Sequence, residues 1–215
     1  MKITRLMSRF FFVDRKSEEI KSPLIILIHG YGSNERDLFS LIDYLPKKAY
    51  IISPRGPIEL FNNSYAWYDI YVDNNSKLYD HEGAKQIRDE LSKFIDDIIK
   101  YPNIDSENVT LIGFSQGAIL SHAISYSYPG TIKNIMAISG VIDEKIMKRT
   151  HLKPKTNIYI SHGTNDNLID YQISQESLNF YKSKNIDFTF ESYEQGHGIN
   201  EKNLESLIKW LNEKI

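Results

Sequence analysis

Short apolar runs bounded by turn residues alternate along this chain with longer segments whose apolar positions recur at helical spacing. That alternation predicts a parallel sheet linked by crossover helices. The runs that read as strands are Arg9–Asp14, Leu24–His29, Tyr50–Ser53, Asn108–Gly113, Asn134–Ser139, Asn157–Ser161 and Asp187–Tyr193. Leu24 to Ile28 is apolar at every position, as a strand covered on both faces requires. Arg9–Asp14 is mixed and reads as an edge. Ala84, Ile87, Leu91, Phe94, Ile95 and Ile98 form one helical stripe. Leu204, Leu207, Ile208, Leu211 and Ile215 form another, with Asn200 as its cap. A helix following Gly113 should stop at Tyr128-Pro129-Gly130. Gly56 to Glu82 shows no clear period and reads as one long irregular stretch, the kind of loop that usually carries function.

Length and composition narrow the class. The 215 residues fit a single domain, 1–215, with an α/β fold. Lysine plus arginine number 26 against 28 acids, so the net charge of −2 offers no field for nucleic acid or an anionic membrane. There is no cysteine, which excludes disulfides and a thiolate nucleophile and favours a reducing compartment. No run approaches the ~18 apolar residues of a membrane span. Met1 to Ser17 is basic, but its apolar core, Phe10 to Val13, stops at Asp14. A signal peptide needs about 7–15 apolar residues, so the chain reads as a mature cytoplasmic protein without stable membrane insertion.

The chemistry concentrates in a few short motifs. Gly113-Phe114-Ser115-Gln116-Gly117 has the G-x-S-x-G form, with a strand directly before it and an apolar helix start, Ala118-Ile119-Leu120, directly after. In that context a serine in a tight strand-to-helix turn points its hydroxyl outward, and the amides that follow face the site of developing negative charge. Ser115 then needs a base. His197, in Gly196-His197-Gly198, lies in the last strand-to-helix loop, on the edge where open α/β sheets bind ligands. His122 follows Ser115 by seven helical residues, about 10 Å, too far to take its proton. His29 and His162 end strands and read as histidines bonded to local backbone, while His81 and His151 lie in polar stretches. The base needs a carboxylate to hold its tautomer. Asp166, Asp143 and Asp170 all keep the chain order Ser, Asp, His. Asp166 is preferred because it lies one strand nearer the His197 loop. For the tetrahedral intermediate, the Gln116 N–H is one donor by its position after the serine. The Tyr31 N–H, in His29-Gly30-Tyr31-Gly32, supplies the second. No lysine follows that glycine pair at P-loop spacing.

Together, Leu27-Ile28-His29-Gly30-Tyr31-Gly32, Pro54-Arg55-Gly56-Pro57, Ala66-Trp67-Tyr68-Asp69, the Ser115 motif, His162-Gly163 with Asp166, and Gly196-His197 resemble the carboxylesterase, phospholipase and acyl-protein thioesterase family of α/β-hydrolases. The resemblance implies a mostly parallel twisted sheet with helices on both faces and no large cap domain. It implies a Ser115–Asp166–His197 triad, an oxyanion hole from the Tyr31 and Gln116 amides, and Trp67 beside the acyl pocket. Tyr68, with Trp67, falls in an aromatic cluster that can wall that pocket. No metal or organic cofactor is required. The expected partner is a small-molecule ester or acyl substrate, and the expected activity is a serine carboxylesterase for short- to medium-chain esters, or thioesters. A lysophospholipase or acyl-protein thioesterase with the same triad is the nearest rival, and a non-catalytic binding protein of the same fold the rival from another class. Ile70 to Asp80 is rich in Asp, Asn and Lys where the thioesterase end of the family has an apolar acyl-binding loop, which points to a short pocket.

Overall fold

The computed structural model describes residues 10–73 and 76–215. Seven strands form one sheet in the order β1-β3-β2-β8-β9-β10-β11. They are β1 (Phe12–Arg15), β2 (Ser22–Ile28), β3 (Tyr50–Pro54), β8 (Ile104–Phe114), β9 (Asn134–Ile138), β10 (Asn157–Gly163) and β11 (Thr189–Tyr193). Only the edge strand β1 runs antiparallel to its neighbour. The first predicted strand therefore exists but ends one residue later, and its start at Arg9 lies outside the described residues.

The pattern inside β2 explains the layers. Leu24, Ile26 and Ile28 join one core with helix α1 (His81–Ile98) and helix α2 (Gln116–Ser127). Ile25 and Leu27 join the other with Leu207 and Leu211 of helix α5 (Glu201–Lys214). Alternate side chains of a strand leave opposite faces, so a strand apolar throughout needs helices on both. The six predicted stripe positions of α1 are all buried. Asn200 caps α5 by accepting from the Asn203 N–H at 2.9 Å. Among the described residues no helix is long and apolar enough to cross a membrane.

Gly56–Glu82 is not one irregular loop. It holds two antiparallel hairpins, β4 (Ile58–Phe61) with β5 (Ser64–Ala66) and β6 (Ile70–Asp73) with β7 (Ser76–Tyr79). Asn62 and Asn63 both have positive φ, 41° and 63°, the backbone that a two-residue hairpin turn demands. The Asn-Asn pair at 62–63 was the signal for the first turn. Short, irregular apolar spacing hid the strands. Between β10 and β11, Tyr171–Ser177 (α3) and Asn179–Ser183 (α4) form two further short helices.

Strands β2 and β8 are neighbours in the sheet although far apart in sequence, and the strands that follow them run away on opposite sides. The loops leaving such a pair diverge and open a crevice at the carboxyl end of the sheet. Register pairs Ile28 with Gly113, so the His29–Gly32 loop and Ser115 begin side by side. Likewise Gly163 pairs with Tyr193, which starts the Asp166 and His197 loops together.

Candidate active site

Ser115 sits between β8 and α2 with φ 52° and ψ −113°, a conformation few side-chain-bearing residues adopt. Its N–H is anchored on the Ile138 carbonyl at 2.8 Å. The turn closes only because its glycines lack side chains. A Cβ at Gly117 would strike the Ile28 and His29 carbonyl oxygens, and one at Gly113 would strike the Gly117 carbonyl and Ser121 Oγ.

His197 Nδ1 lies 2.7 Å from Asp166 Oδ2. The carboxylate can only accept, so Nδ1 carries the proton and Nε2 is left as the free lone pair. Asp166 Oδ1 accepts from the Leu168 and Ile169 N–H groups at 2.8 and 2.9 Å. Burial alone would raise the carboxyl pKa, but the bonds from Ile169, His197 and Leu168 outweigh it and hold it below the usual carboxylate range. His162 Nε2 bonds the Ile169 carbonyl at 2.9 Å, as a locally bonded histidine should, and also lies 3.3 Å from Asp166 Oδ2. The rival carboxylates are engaged elsewhere. Asp143 lies 3.3 Å from His81 and caps a short turn at Lys145. Asp170 caps α3 through the Gln172 N–H at 2.7 Å.

The other histidines are also accounted for. His29 Nε2 accepts from the Gly56 N–H at 2.9 Å, so its proton is on Nδ1, which bonds the Gly30 carbonyl at 2.7 Å. His151 is exposed. His122 is buried, 2.8 Å from the Tyr181 hydroxyl, with no partner at Nε2 among the described residues. Burial pulls its pKa down to about 3. An unfolded histidine titrates near 6.5, so the neutral ring stabilises the fold in full above that pH, and the contribution is lost as pH falls toward about 3. Thermal melts should show Tm falling over that window. His122→Gln should flatten the slope by up to one proton's worth, about 1.4 kcal/mol per pH unit. An unchanged slope would exclude His122 as the acid-sensitive group.

Ser115, His197, Tyr31, Gln116 and Tyr68 line a single cavity of about 380 Å³. Its apolar wall includes Ile70, Tyr79, Ile119, Leu168 and Ile169. Among the described residues no hydrogen bond joins Ser115 Oγ to His197. Such bonds often tighten only when substrate binds. Trp67 is not among the residues that line the cavity and stands behind its wall. Its indole is 1% exposed and packs against Phe10, with centroids 5.8 Å apart. A buried indole N–H needs an acceptor, and it reaches inward to the His29 carbonyl at 2.8 Å. Tyr68, next along the chain, supplies the wall instead. Gln116 ties this wall to the Ser115 turn: Oε1 accepts from the Trp67 N–H at 2.9 Å and Nε2 donates to the Tyr68 carbonyl at 2.8 Å.

The sequence reading missed Gln195, which braces both ends of the His197 loop. Its Nε2 donates to the Gly198 carbonyl at 2.6 Å, and its Oε1 accepts from the Asn200 N–H at 2.8 Å. Its carbonyl accepts from the Asn165 N–H at 3.1 Å, joining the His197 loop to the Asp166 loop. Position two residues before the histidine was the only cue.

Against this geometry, the family model for phospholipase/carboxylesterase proteins matches residues 10–215. The chain belongs to the phospholipase/carboxylesterase family. A relative in that family, acyl-protein thioesterase 1 of Candida albicans, is 29% identical over 211 residues, covering 87% of this chain and 90% of its own. The crystal structure of the Bacillus cereus carboxylesterase superposes with a TM-score of 0.82 at 23% identity, covering 96% and 95% of the two chains. Esterase PE8 follows at a TM-score of 0.79 and 26% identity, covering 95% and 97%. As a member of the phospholipase/carboxylesterase family, the protein is a hydrolase of the esterase and thioesterase kind.

Proposed function

We propose that the protein is a serine carboxylesterase in which Ser115, His197 and Asp166 act as a triad on short- to medium-chain acyl groups. The 2.7 Å Asp166–His197 contact beside the strained Ser115 turn carries this reading. Ser115 Oγ attacks the acyl carbonyl while His197 Nε2 takes its proton. The oxygen that gains charge sits between the Tyr31 and Gln116 N–H groups. As the bond to the leaving group breaks, His197 returns the proton to it and an acyl-serine remains. Water, deprotonated by His197, then attacks the acyl-serine, and Ser115 departs with the proton. Thioesters fit the same steps, and the Candida albicans relative bears the name of a thioesterase. The absence of cysteine favours a reducing, cytoplasmic setting. An organophosphonate probe tests the mechanism. It should add one phosphonyl group to the wild-type protein, mapped to Ser115, and none to Ser115→Ala. Labelling elsewhere, or none, overturns the reading.

The small size of this apolar cavity, about 380 Å³, supports a limit on acyl length. Each buried methylene is worth about 0.8 kcal/mol, up to about fourfold in specificity. kcat/KM should climb from acetyl to butanoyl or hexanoyl esters and then level or fall. Tyr79→Ala, which removes a ring from the wall, should move the optimum to longer chains. Trp67→Ala should instead destabilise the fold by about 3–5 kcal/mol and weaken turnover of every ester alike. A preference for palmitoyl over butanoyl esters in the wild-type protein would exclude the short pocket.

A further inference from the structure

A second, smaller cavity of about 200 Å³ lies beside the first and shares two wall residues with it, Asp37 and Phe114. Its position relative to His197 indicates what it holds. Gly198 and Ile199, which follow His197, form part of its wall, and the Phe114 ring packs against the His197 ring with centroids 4.9 Å apart. The group that receives the proton from His197 must lie on the His197 side of the scissile bond. The small cavity, walled by the two residues that follow His197, adjoins that side, and the apolar part of the larger cavity, which His197 also lines, is left for the acyl chain.

Charge then sets which leaving group suits it. Asp37 is the one carboxylate among the described residues lining either cavity, and neither lining contains a lysine or arginine. The basic residues of the same region are committed to another acid. Arg55 binds Glu35 at 2.6 Å, and Arg36 lies 3.8 Å from it. No cation pairs with Asp37 among the described residues. Its Oδ2 accepts only the Ser33 hydroxyl, at 2.6 Å, which orients the carboxylate without neutralising it.

We infer that Asp37 makes this an esterase for leaving groups that carry a cationic head, and a poor one for anionic leaving groups. The inference rests on the acyl-serine reading above. A carboxylate at the mouth of the cleft attracts a cation and repels an anion; Asp37 is exposed, so solvent already tempers both effects and added salt weakens them further.

Three butanoyl esters of similar size test it: butanoylcholine, its uncharged isostere 3,3-dimethylbutyl butanoate, and the 2-sulfoethyl ester. At low ionic strength the wild-type kcat/KM should fall in that order, by about two- to fivefold per step. Half-molar salt should compress the series. Asp37→Asn, which can still accept from Ser33, should bring the choline-to-neutral ratio close to one. Ser40→Lys adds a cation to the small cavity's own wall, where Ser40 is exposed, and should turn the preference toward the sulfonate. Equal rates on all three esters, or a ratio that neither variant moves, overturns the inference. Activity of Ser115→Ala on all three would instead overturn the serine mechanism, so the two failures are distinct.

Discussion

Ser115→Ala should lower kcat by about 10⁴–10⁶ on every ester while the protein melts within a few degrees of wild type. The substitution removes one oxygen that takes part in no hydrogen bond among the described residues, and alanine meets the same positive φ that serine already tolerates. Packing around the turn depends on the glycines at 113 and 117, not on the hydroxyl. The chemistry loses its nucleophile outright, and what remains is the contribution of the cavity and the two backbone N–H groups, which can still bind and polarise an ester. Single-turnover kinetics and intact mass should show no acyl-enzyme. If a tenth of wild-type activity survives, Ser115 is not the nucleophile.

Asp166→Asn comes second, with an expected loss of about 10⁴ in kcat. The Leu168 and Ile169 N–H groups hold the Oδ1 position, so the asparagine oxygen should stay there and its NH₂ should face His197 Nδ1. Two donors cannot share that contact. His197 must therefore accept at Nδ1 and carry its proton on Nε2, where it can no longer take one from Ser115. The volume is unchanged and the backbone bonds survive, so stability near neutral pH should fall far less than activity. The wild-type carboxyl is held below the usual range, so its stabilising contribution is complete above that range and is lost as pH drops through the folded-state value. The mutant should therefore lose less stability on acidification than wild type. Asp143→Asn and Asp170→Asn are the controls and should stay within about threefold of wild-type kcat, because each serves a local cap. A crippled Asp143→Asn beside a mild Asp166→Asn would move the acid to the other loop.

The elements repeated over several residues could be read directly from the chain. The all-apolar Leu24–Ile28 run, the α1 and α5 stripes and the Asn200 cap depend on spacing along one segment, and local chemistry decides spacing. The Ser115 turn was legible from its G-x-S-x-G string between a strand and a helix, although the contact that bars a Cβ at Gly117 is with Ile28 and His29, far away in the chain. Chain order allowed three aspartates, and strand proximity favoured Asp166 among them. The pairing of Gly163 with Tyr193 brings Asp166 to His197, a contact the chain could not show because strand neighbours in a parallel sheet are not neighbours in sequence. The same holds for Trp67 and Tyr68. Adjacent in the chain, they part at the sheet edge, one indole drawn inward by the His29 carbonyl and one phenol left on the wall. The charge on the small cavity was equally invisible, because it depends on Arg36 and Arg55 both turning to Glu35 rather than to Asp37. Sequence decided what most segments become and which residues are candidates for the chemistry. Which of them meet, and which polar groups go uncompensated, is set by contacts between segments far apart in the chain, and only the folded sheet brings those together.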